Sequence, residues 1–484
     1  MKYNTSMKGK GSIKIWAVAV WLVVWEVAAR LLNKEIFLVS PIKAIMRFAE
    51  LAITGSFWLS IASSLMRIAL GFLLAVAIGV LLAILSHKNK RVREFFAPVM
   101  LAIRTVPVAS FIILALICFS SKYLAILISF LIVNPTIFEN VFTGIQEADN
   151  ELIEMSCVFN LTLGKRARYI YWPSVYPYFR SACKTAIGMA WKAGIAAEVI
   201  GTPKPSIGAM LQQAKIYLET VDLIAWTIGI VIVSLCMEKV FIWVLAKVDA
   251  SLRSFPKSSH GIFVLNNSSG PERNPDVLDN ESEQHSGPYA SEDAAPAVEL
   301  KSLTKSFGEQ KVIDNLSFVF PVGEISTIMG QSGVGKTTLA RIIAGLETPD
   351  GGEVRRLTTP RIAIVFQEDR LLDYMTAEDN IRLVNEELTT EEVQSAMQSV
   401  GLIDFDKHVS EYSGGMKRRV SILRALLAVN AVILLDEPFK GLDEETKAKT
   451  IDYIKTKTHG KTVIVITHDK EEAEAIGADN YLYL

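Results

Sequence analysis

Six apolar runs before residue 250 restrict the possible folds of this chain more than any other feature. They are Ile13–Leu32, Ile61–Leu85, Phe95–Phe119, Tyr123–Phe142, Phe179–Ile200 and Leu223–Ala246. Each is close to the ~20 residues a helix needs to cross a bilayer. Lipid offers no partner to a free N–H or C=O, so such runs must close their hydrogen bonds internally, as helices. An all-α polytopic membrane domain of six spans over residues 1–250 is the expectation. Half of the 484 residues are hydrophobic, too many for an ordinary soluble enzyme. A chain of this length also splits into two or three domains. The net charge of −1 gives no basic field for nucleic acid.

Lysine and arginine set the orientation. The N-terminus, the loop after the second run (Lys88, Lys90, Arg91, Arg93) and the loop after the fourth (Lys165, Arg166, Arg168) are basic. All three lie on one side if the N-terminus is cytoplasmic. A signal peptide is the competing reading of the first run, because Val27-Ala28-Ala29 resembles a cleavage site. Glu26 just before that site and the five later runs argue against it. Glu26, Arg30, Arg67, Arg104, Lys184, Lys192 and Glu198 lie inside runs and should face the bundle or an aqueous path. Glu26 and Arg30, four apart, are expected to pair. Lys192 is either a satisfied structural lysine or the lining of an anion path. Gly188, Ala190, Ala193, Gly194, Ala196 and Ala197 suggest close helix packing. Cys118, Cys157, Cys183 and Cys236 form no C-x-x-C pair and read as reduced and structural.

The second half turns on Gly330-Gln331-Ser332-Gly333-Val334-Gly335-Lys336-Thr337, which reads G-x-x-x-x-G-K-T. An apolar strand-like run precedes it, and a helix-like segment opens at Thr338, the context this phosphate-cradling loop requires. Its glycines let successive N–H groups turn toward an anion, and the helix adds the positive end of its dipole. Lys336 would reach the β- and γ-phosphates of ATP, and the Thr337 hydroxyl would hold Mg²⁺. From Val298 strand-like and helix-like segments alternate, an α/β pattern. Between the halves, residues 251–296 are rich in Ser, Asn, Pro, Gly and acidic residues and read as a disordered linker. About 45 flexible residues have a mean span on the order of 35–40 Å.

Residues 297–484 carry further motifs in a fixed order. They are Phe307 in Lys305-Ser306-Phe307-Gly308, Gln367 after a strand, Ser413-Gly414-Gly415, Asp436-Glu437 closing an apolar run, Gly441-Leu442-Asp443, and His468 closing another. Together with the P-loop, this set resembles an ABC ATPase over nearly all of 297–484. The resemblance implies that Phe307 stacks on adenine and that Ser413, Gly414, Gly415 and Asp443 serve the nucleotide. It gives Gln367 a place beside Mg²⁺ and the attacking water, has Asp436 hold Mg²⁺, and makes Glu437 polarise the water, with His468 as the switch histidine. Tyr412 and Met416 depart from the usual Leu and Gln, and Gly441 from the usual Ala. Lys417, Arg418 and Arg419 also read as a solvated basic turn.

The basic loop from Glu147 to Pro177 has amphipathic spacing in Leu152, Ile153, Met155, Val158, Phe159, Leu161 and Leu163. Its Glu154-Met155-Ser156, Asn160 and Ile170-Tyr171-Trp172-Pro173 keep the spacing of the cytoplasmic loop of ABC-importer permeases, E-A-A-x₃-G-x₉-I-x-L-P, which it resembles. Asn160 replaces a glycine and tolerates the same left-handed turn. By that resemblance the loop is the coupling helix that docks on the ATPase. Trp191 to Gly201 looks like the fifth span of permeases in the nitrate/sulfonate/taurine importer group, which includes carriers of thiamine-precursor pyrimidines.

The expected protein is thus a type I ABC importer-like permease (1–250) fused through a linker (251–296) to a P-loop ATPase (297–484), in the cell membrane with its ATPase cytoplasmic. In the resembling family, P-loop and signature loop on one phosphate come from different ATPase domains, so a homodimer is expected. The expected partners are a small-molecule substrate, an extracytoplasmic binding protein that delivers it, and membrane lipid, with no nucleic acid. The chain ends sixteen residues after His468, so no C-terminal regulatory domain is expected. An ABC exporter half-transporter and a membrane-tethered ATPase signalling module are the alternatives. The substrate is left open among nitrate-like anions, sulfonates and pyrimidines.

Overall fold

The computed structural model describes residues 15–32, 36–253, 297–356 and 362–484. These fall into two units. One holds the helices up to Ala148 and from Tyr171 to Arg253, and the other joins Asp149–Ile170 to the chain from Ala297 onward. The helices of the first half are α1 (Ile15–Leu32), α2 (Pro41–Ala52), α3 (Gly55–Lys88), α4 (Lys90–Thr105), α5 (Val108–Cys118) and α6 (Ser121–Gln146). They continue with α7 (Asn150–Val158), α8 (Leu163–Arg166), α9 (Trp172–Gly201), α10 (Ile207–Ile216) and α11 (Thr220–Arg253). Of these, α7 and α8 belong to the second unit.

The centre of the first unit is α3, α6 and α9. Phe57, Ile68 and Phe72 of α3 pack with Val133, Ile137 and Val141 of α6 and with Cys183, Ile187 and Trp191 of α9. Small residues bring the backbones together. A Cβ on Gly71 would stand 2.3 Å from the Ile126 carbonyl oxygen, and one on Gly194 2.5 Å from Ile68 Cγ1. Ala190, Ala193 and Ala197 are buried beside Gly194, but Gly188 meets nothing within 4 Å and Ala196 is exposed. The small residues expected to pack therefore do so along one stripe only, since each residue turns the face by about 100°. The cysteines are all free thiols.

Among the described residues, Gly55–Lys88, Ser121–Gln146 and Thr220–Leu252 are long and apolar enough to cross a membrane. The expected third span is interrupted: α4 and α5 meet at a 108° bend and count as a fourth span only if taken together. Pro107 causes the break. It forces Val106 into extended backbone (φ −78°, ψ 133°) and cannot donate into a continuing helix. The expected fifth span lies in α9, whose apolar run is diluted by Arg180, Lys184, Lys192 and Glu198. The first span's Ile13 and Lys14 lie outside the described residues. So does the expected linker from 254 to 296, while Ser251–Arg253 still belong to α11.

The charges within the apolar runs are largely paired, although of these pairs only Arg67–Glu198 is buried. Arg30 Nε donates to Glu26 Oε1 at 2.7 Å, as the four-residue spacing predicts, and Arg104 pairs with Glu139. Glu198 is fully buried and satisfied by three donors from α3 and α10. Arg67 donates to Oε1 at 2.8 Å, and Ser64 and the Gly208 N–H donate to Oε2 at 2.5 and 3.4 Å. Lys192 is exposed. Removing one partner of a buried pair strands the other charge, at a cost of about 3–5 kcal/mol. Glu198→Ala should therefore lower the thermal unfolding midpoint, and Arg67→Met with Glu198→Leu should recover most of the loss. Equal destabilisation by the single and double variants would refute the pair.

In the second unit, β1 (Val298–Phe307), β2 (Gln310–Phe320) and β4 (Gly351–Arg356) make an antiparallel sheet in the order β2-β1-β4. A five-stranded sheet has the order β5-β6-β7-β3-β8. Its strands are β3 (Ile325–Met329), β5 (Ile362–Val365), β6 (Val432–Asp436), β7 (Thr462–Ile466) and β8 (Asn480–Tyr483), all paired in parallel. β5, β6 and β7 are buried along their whole length, as an apolar strand covered on both faces must be. Around them lie α12 (Lys336–Ala344), α13 (Ala377–Arg382), α14 (Thr390–Ser399), α15 (Gly414–Leu426), α16 (Glu444–Thr458) and α17 (Lys470–Ile476).

Candidate functional site

Parallel strands align their carboxyl ends, and ligands of such sheets bind at that edge. Four candidate segments leave the sheet there. Met329 runs into the P-loop, Val365 into Gln367, β6 ends on Asp436-Glu437, and Ile466 leads to His468. The P-loop is glycine by necessity. Gly335 has φ +111°, and a Cβ on it would lie 2.7 Å from Val312 Cγ1. Helix α12 starts at Lys336, two residues earlier than the helix-like segment in the sequence. Lys336 Nζ donates to the carbonyls of Gly330 and Gln331, both at 2.8 Å.

A cleft of about 750 Å³ opens on this edge, lined by Gly330, Gln331, Ser332, Lys336, Gln367, Glu437 and His468. Lys440, Thr467 and Glu472, which the sequence reading left out, line it too. Glu437 Oε1 lies 3.9 Å from His468 Nδ1, and its Oε2 lies 3.5 Å from Lys440 Nζ. Behind the cleft, Asp436 is 3% exposed and hydrogen-bonded to the Thr337 side chain; burial first, then Glu437, pushes its carboxyl up to about 6. A buried acid beside a hydroxyl at a glycine-built anion cradle fits a hydrated divalent cation, which would offset the cost of ionising it.

Phe307, Ser413, Gly414, Gly415 and Asp443 are not in the lining. Phe307 is 51% exposed on the β1–β2 hairpin, with Lys305 Nζ 5.2 Å from its ring centre. Ser413 caps α15, accepting from the Met416 N–H at 3.4 Å. A Cβ on Gly415 would stand 3.0 Å from the Gly441 carbonyl, so these two loops adjoin. Asp443 caps α16, accepting from the Thr446 N–H and hydroxyl, both at 2.9 Å. The solvated basic turn is corrected: Lys417 reaches Asp373 at 2.8 Å, Arg419 donates to the Val400 carbonyl at 2.7 Å, and Arg418 is buried.

The segment Asp149–Ile170 is part of this same unit. Met155 and Val158 enter a core with Val298, Leu339 and Ile342. Leu161, Tyr169 and Ile170 pack with Leu372, Met375 and Leu383. Leu163, counted in the amphipathic pattern, is 80% exposed. Asn160 adopts φ +51°, the left-handed turn expected of it. Glu154 forks into Arg341 at 2.7 and 2.9 Å and takes Arg370 at 2.8 Å. The Arg341 hydrogen bonds, more than those of Arg370 and against some burial, hold its carboxyl below the ordinary 4.5. Its contribution is complete above that value and fades only as pH falls through the lowered one. Neither arginine stands out in sequence, where each reads as one more charge on a helix or loop.

Residues 313–440 match the family model described as ABC transporter. Residues 75–254 match that of the binding-protein-dependent transport system inner membrane component. The aliphatic sulfonates import ATP-binding protein SsuB 2 of Rhodococcus jostii (strain RHA1) is 38% identical over 192 residues, 39% of this chain and 78% of that protein. The chain belongs to the ABC transporter family. This ABC transporter joins permease and ATPase in one polypeptide and is of the importer type. Its ATPase half marks it as an ATP hydrolase coupled to transport. It is also similar to the Fe(3+) ions import ATP-binding protein FbpC of Escherichia coli O157:H7, at 35% identity over 37% of this chain and 57% of that one. The Nod factor export ATP-binding protein I of Rhizobium meliloti (strain 1021) is 34% identical over 37% of this chain and 59% of that one. A solved dimeric bacterial ABC transporter cassette shares 31% identity over 39% of this chain and 94% of its own, with a TM-score of 0.36.

Proposed function

We propose that this transporter imports a small solute across the cytoplasmic membrane as a homodimer, with six spans per chain and its ATPase domains in the cytoplasm. A separate extracytoplasmic binding protein delivers the solute, a nitrate-, sulfonate- or taurine-like anion or a thiamine-precursor pyrimidine. The observation that carries this reading is the seating of Glu154 between Arg341 and Arg370. A permease loop with importer spacing has its acid on the helix that begins at Lys336 of the P-loop. Movement of α12 on nucleotide binding therefore has a charged handle on that loop.

Lys336 and the P-loop N–H groups bind the phosphates, with Thr338 at the start of the helix, and Phe307 supports the base. Glu437 accepts a proton from the attacking water, while Gln367 and His468 orient it. Mg²⁺ would be held by Thr337, Asp436 and Gln367 and would neutralise phosphate charge. Ser413, Gly414, Gly415 and Asp443 act on the nucleotide of the facing protomer.

The test is uptake into proteoliposomes of labelled sulfonate, nitrate or pyrimidine, with and without the candidate binding protein. ATP-dependent accumulation only when binder and solute match supports the reading, and efflux of solute would overturn it. In the same assay, Glu154→Ala should cut uptake at least ~tenfold while basal ATP hydrolysis changes by less than ~threefold. Parallel losses of both would contradict a coupling role.

A further inference from the structure

Arg418 lies in the middle of three consecutive cations on α15, yet it is 3% exposed. Arginine carries five N–H donors in a fixed plane, and here five backbone carbonyls take them. Nε donates to Pro438 at 3.1 Å. One terminal nitrogen donates to Phe366 and Gln367, the other to Asp436 and Glu437. The Asp369 carboxylate, 3.4 Å away, balances the charge. Two turns that leave different strands thus meet on one side chain, supplied by the helix that begins at the Ser413 loop.

The backbone at Glu437 needs such support. Its φ is +45°, a conformation that a residue with a Cβ keeps only where its surroundings over-determine it. The Glu437 N–H donates to the Ile466 carbonyl at 2.9 Å, and its own carbonyl accepts from Arg418 at 2.5 Å. Arg418 does not line the nucleotide cleft, so whatever it does there it does through these backbones.

We propose that Arg418 is a positioning residue for ATP hydrolysis, fixing the backbones of Gln367 and Glu437 to the helix of the signature loop. The Gln367 and Glu437 side chains then keep their placement relative to that loop when it engages nucleotide. The inference rests on the assignment of Gln367 and Glu437 to the hydrolytic step. Lysine puts its three donors at one point and reaches only one of the two turns, and glutamine offers fewer donors still.

The experiment uses the full chain in lipid nanodiscs, as Arg418→Gln, Arg418→Lys and Glu437→Gln. It reads kcat, KM for ATP and binding of a fluorescent ATP analogue. Arg418→Gln should lose kcat at least ~tenfold while KM and analogue Kd stay within ~threefold, and Arg418→Lys should recover part of the loss. A kcat within ~twofold of the parent in Arg418→Gln overturns the proposal. So does a rise in KM and Kd that matches the fall in kcat, because that is collapse of the site. Should Arg418→Gln not fold, Arg418→Lys decides: a kcat more than ~twofold below the parent with KM and Kd unchanged supports the proposal, and a kcat within ~twofold overturns it. A parent-like rate for Glu437→Gln overturns the assignment of the hydrolytic residues and this proposal with it. Loss of activity there beside a parent-like Arg418→Gln overturns the proposal alone.

Discussion

Glu437→Gln is expected to reduce ATP turnover by about 10²–10⁴-fold, the range for loss of a general base, with nucleotide affinity retained. The amide keeps the shape of the carboxylate and leaves the backbone contacts to Ile466 and Arg418 intact. What it removes is the acceptor facing the cleft shared with Lys336, Gln367 and His468. Steady-state hydrolysis together with equilibrium binding of ATP checks this. A rate within ~tenfold of the parent would move the base elsewhere, and Glu472, which also lines the cleft, is the next carboxylate to replace.

The second large effect concerns where a complete site is assembled. The cleft of one chain contains Lys336 but not Ser413. If each working site takes its P-loop from one protomer and its signature loop from the other, Lys336→Ala and Ser413→Arg are each inactive as homodimers. A mixed dimer of the two differs. One of its sites carries both lesions and the other carries neither. Differentially tagged chains purified through both tags should hydrolyse ATP at least roughly tenfold faster than either variant alone. Mixed dimers as inactive as their parents would instead favour sites completed within one chain.

Much of the ATPase fold could be read from sequence, because its demands are local. The strand–loop–helix around Lys336 needs glycines where the backbone turns to positive φ, and Gly330, Gly333 and Gly335 supply them. Asn160 could be read on the same grounds. Features settled by tertiary packing could not be. Arg418 sits in a string of cations that looks like a wet surface, and only the neighbouring turns make it a buried donor. Arg341 and Arg370 are unremarkable until Glu154 is brought to them. In the membrane half, apolarity located the helices but overran the break at Val106-Pro107, because hydropathy averages across a proline whose effect is steric.

Because Met155 and Val158 fill a core whose other buried residues run from Ala297 onward, the catalytic body is discontinuous in sequence. A clone begun at Ala297 would leave out a piece of its own interior and expose the trough that Leu161, Tyr169 and Ile170 cover. Such a product should be poorly soluble, and a synthetic peptide of residues 149–170 added in trans should restore it. For anyone dissecting this molecule, the boundary worth respecting is therefore not the stretch between the halves but the hairpin of chain that leaves the lipid-embedded portion at Ala148 and rejoins it at Tyr171.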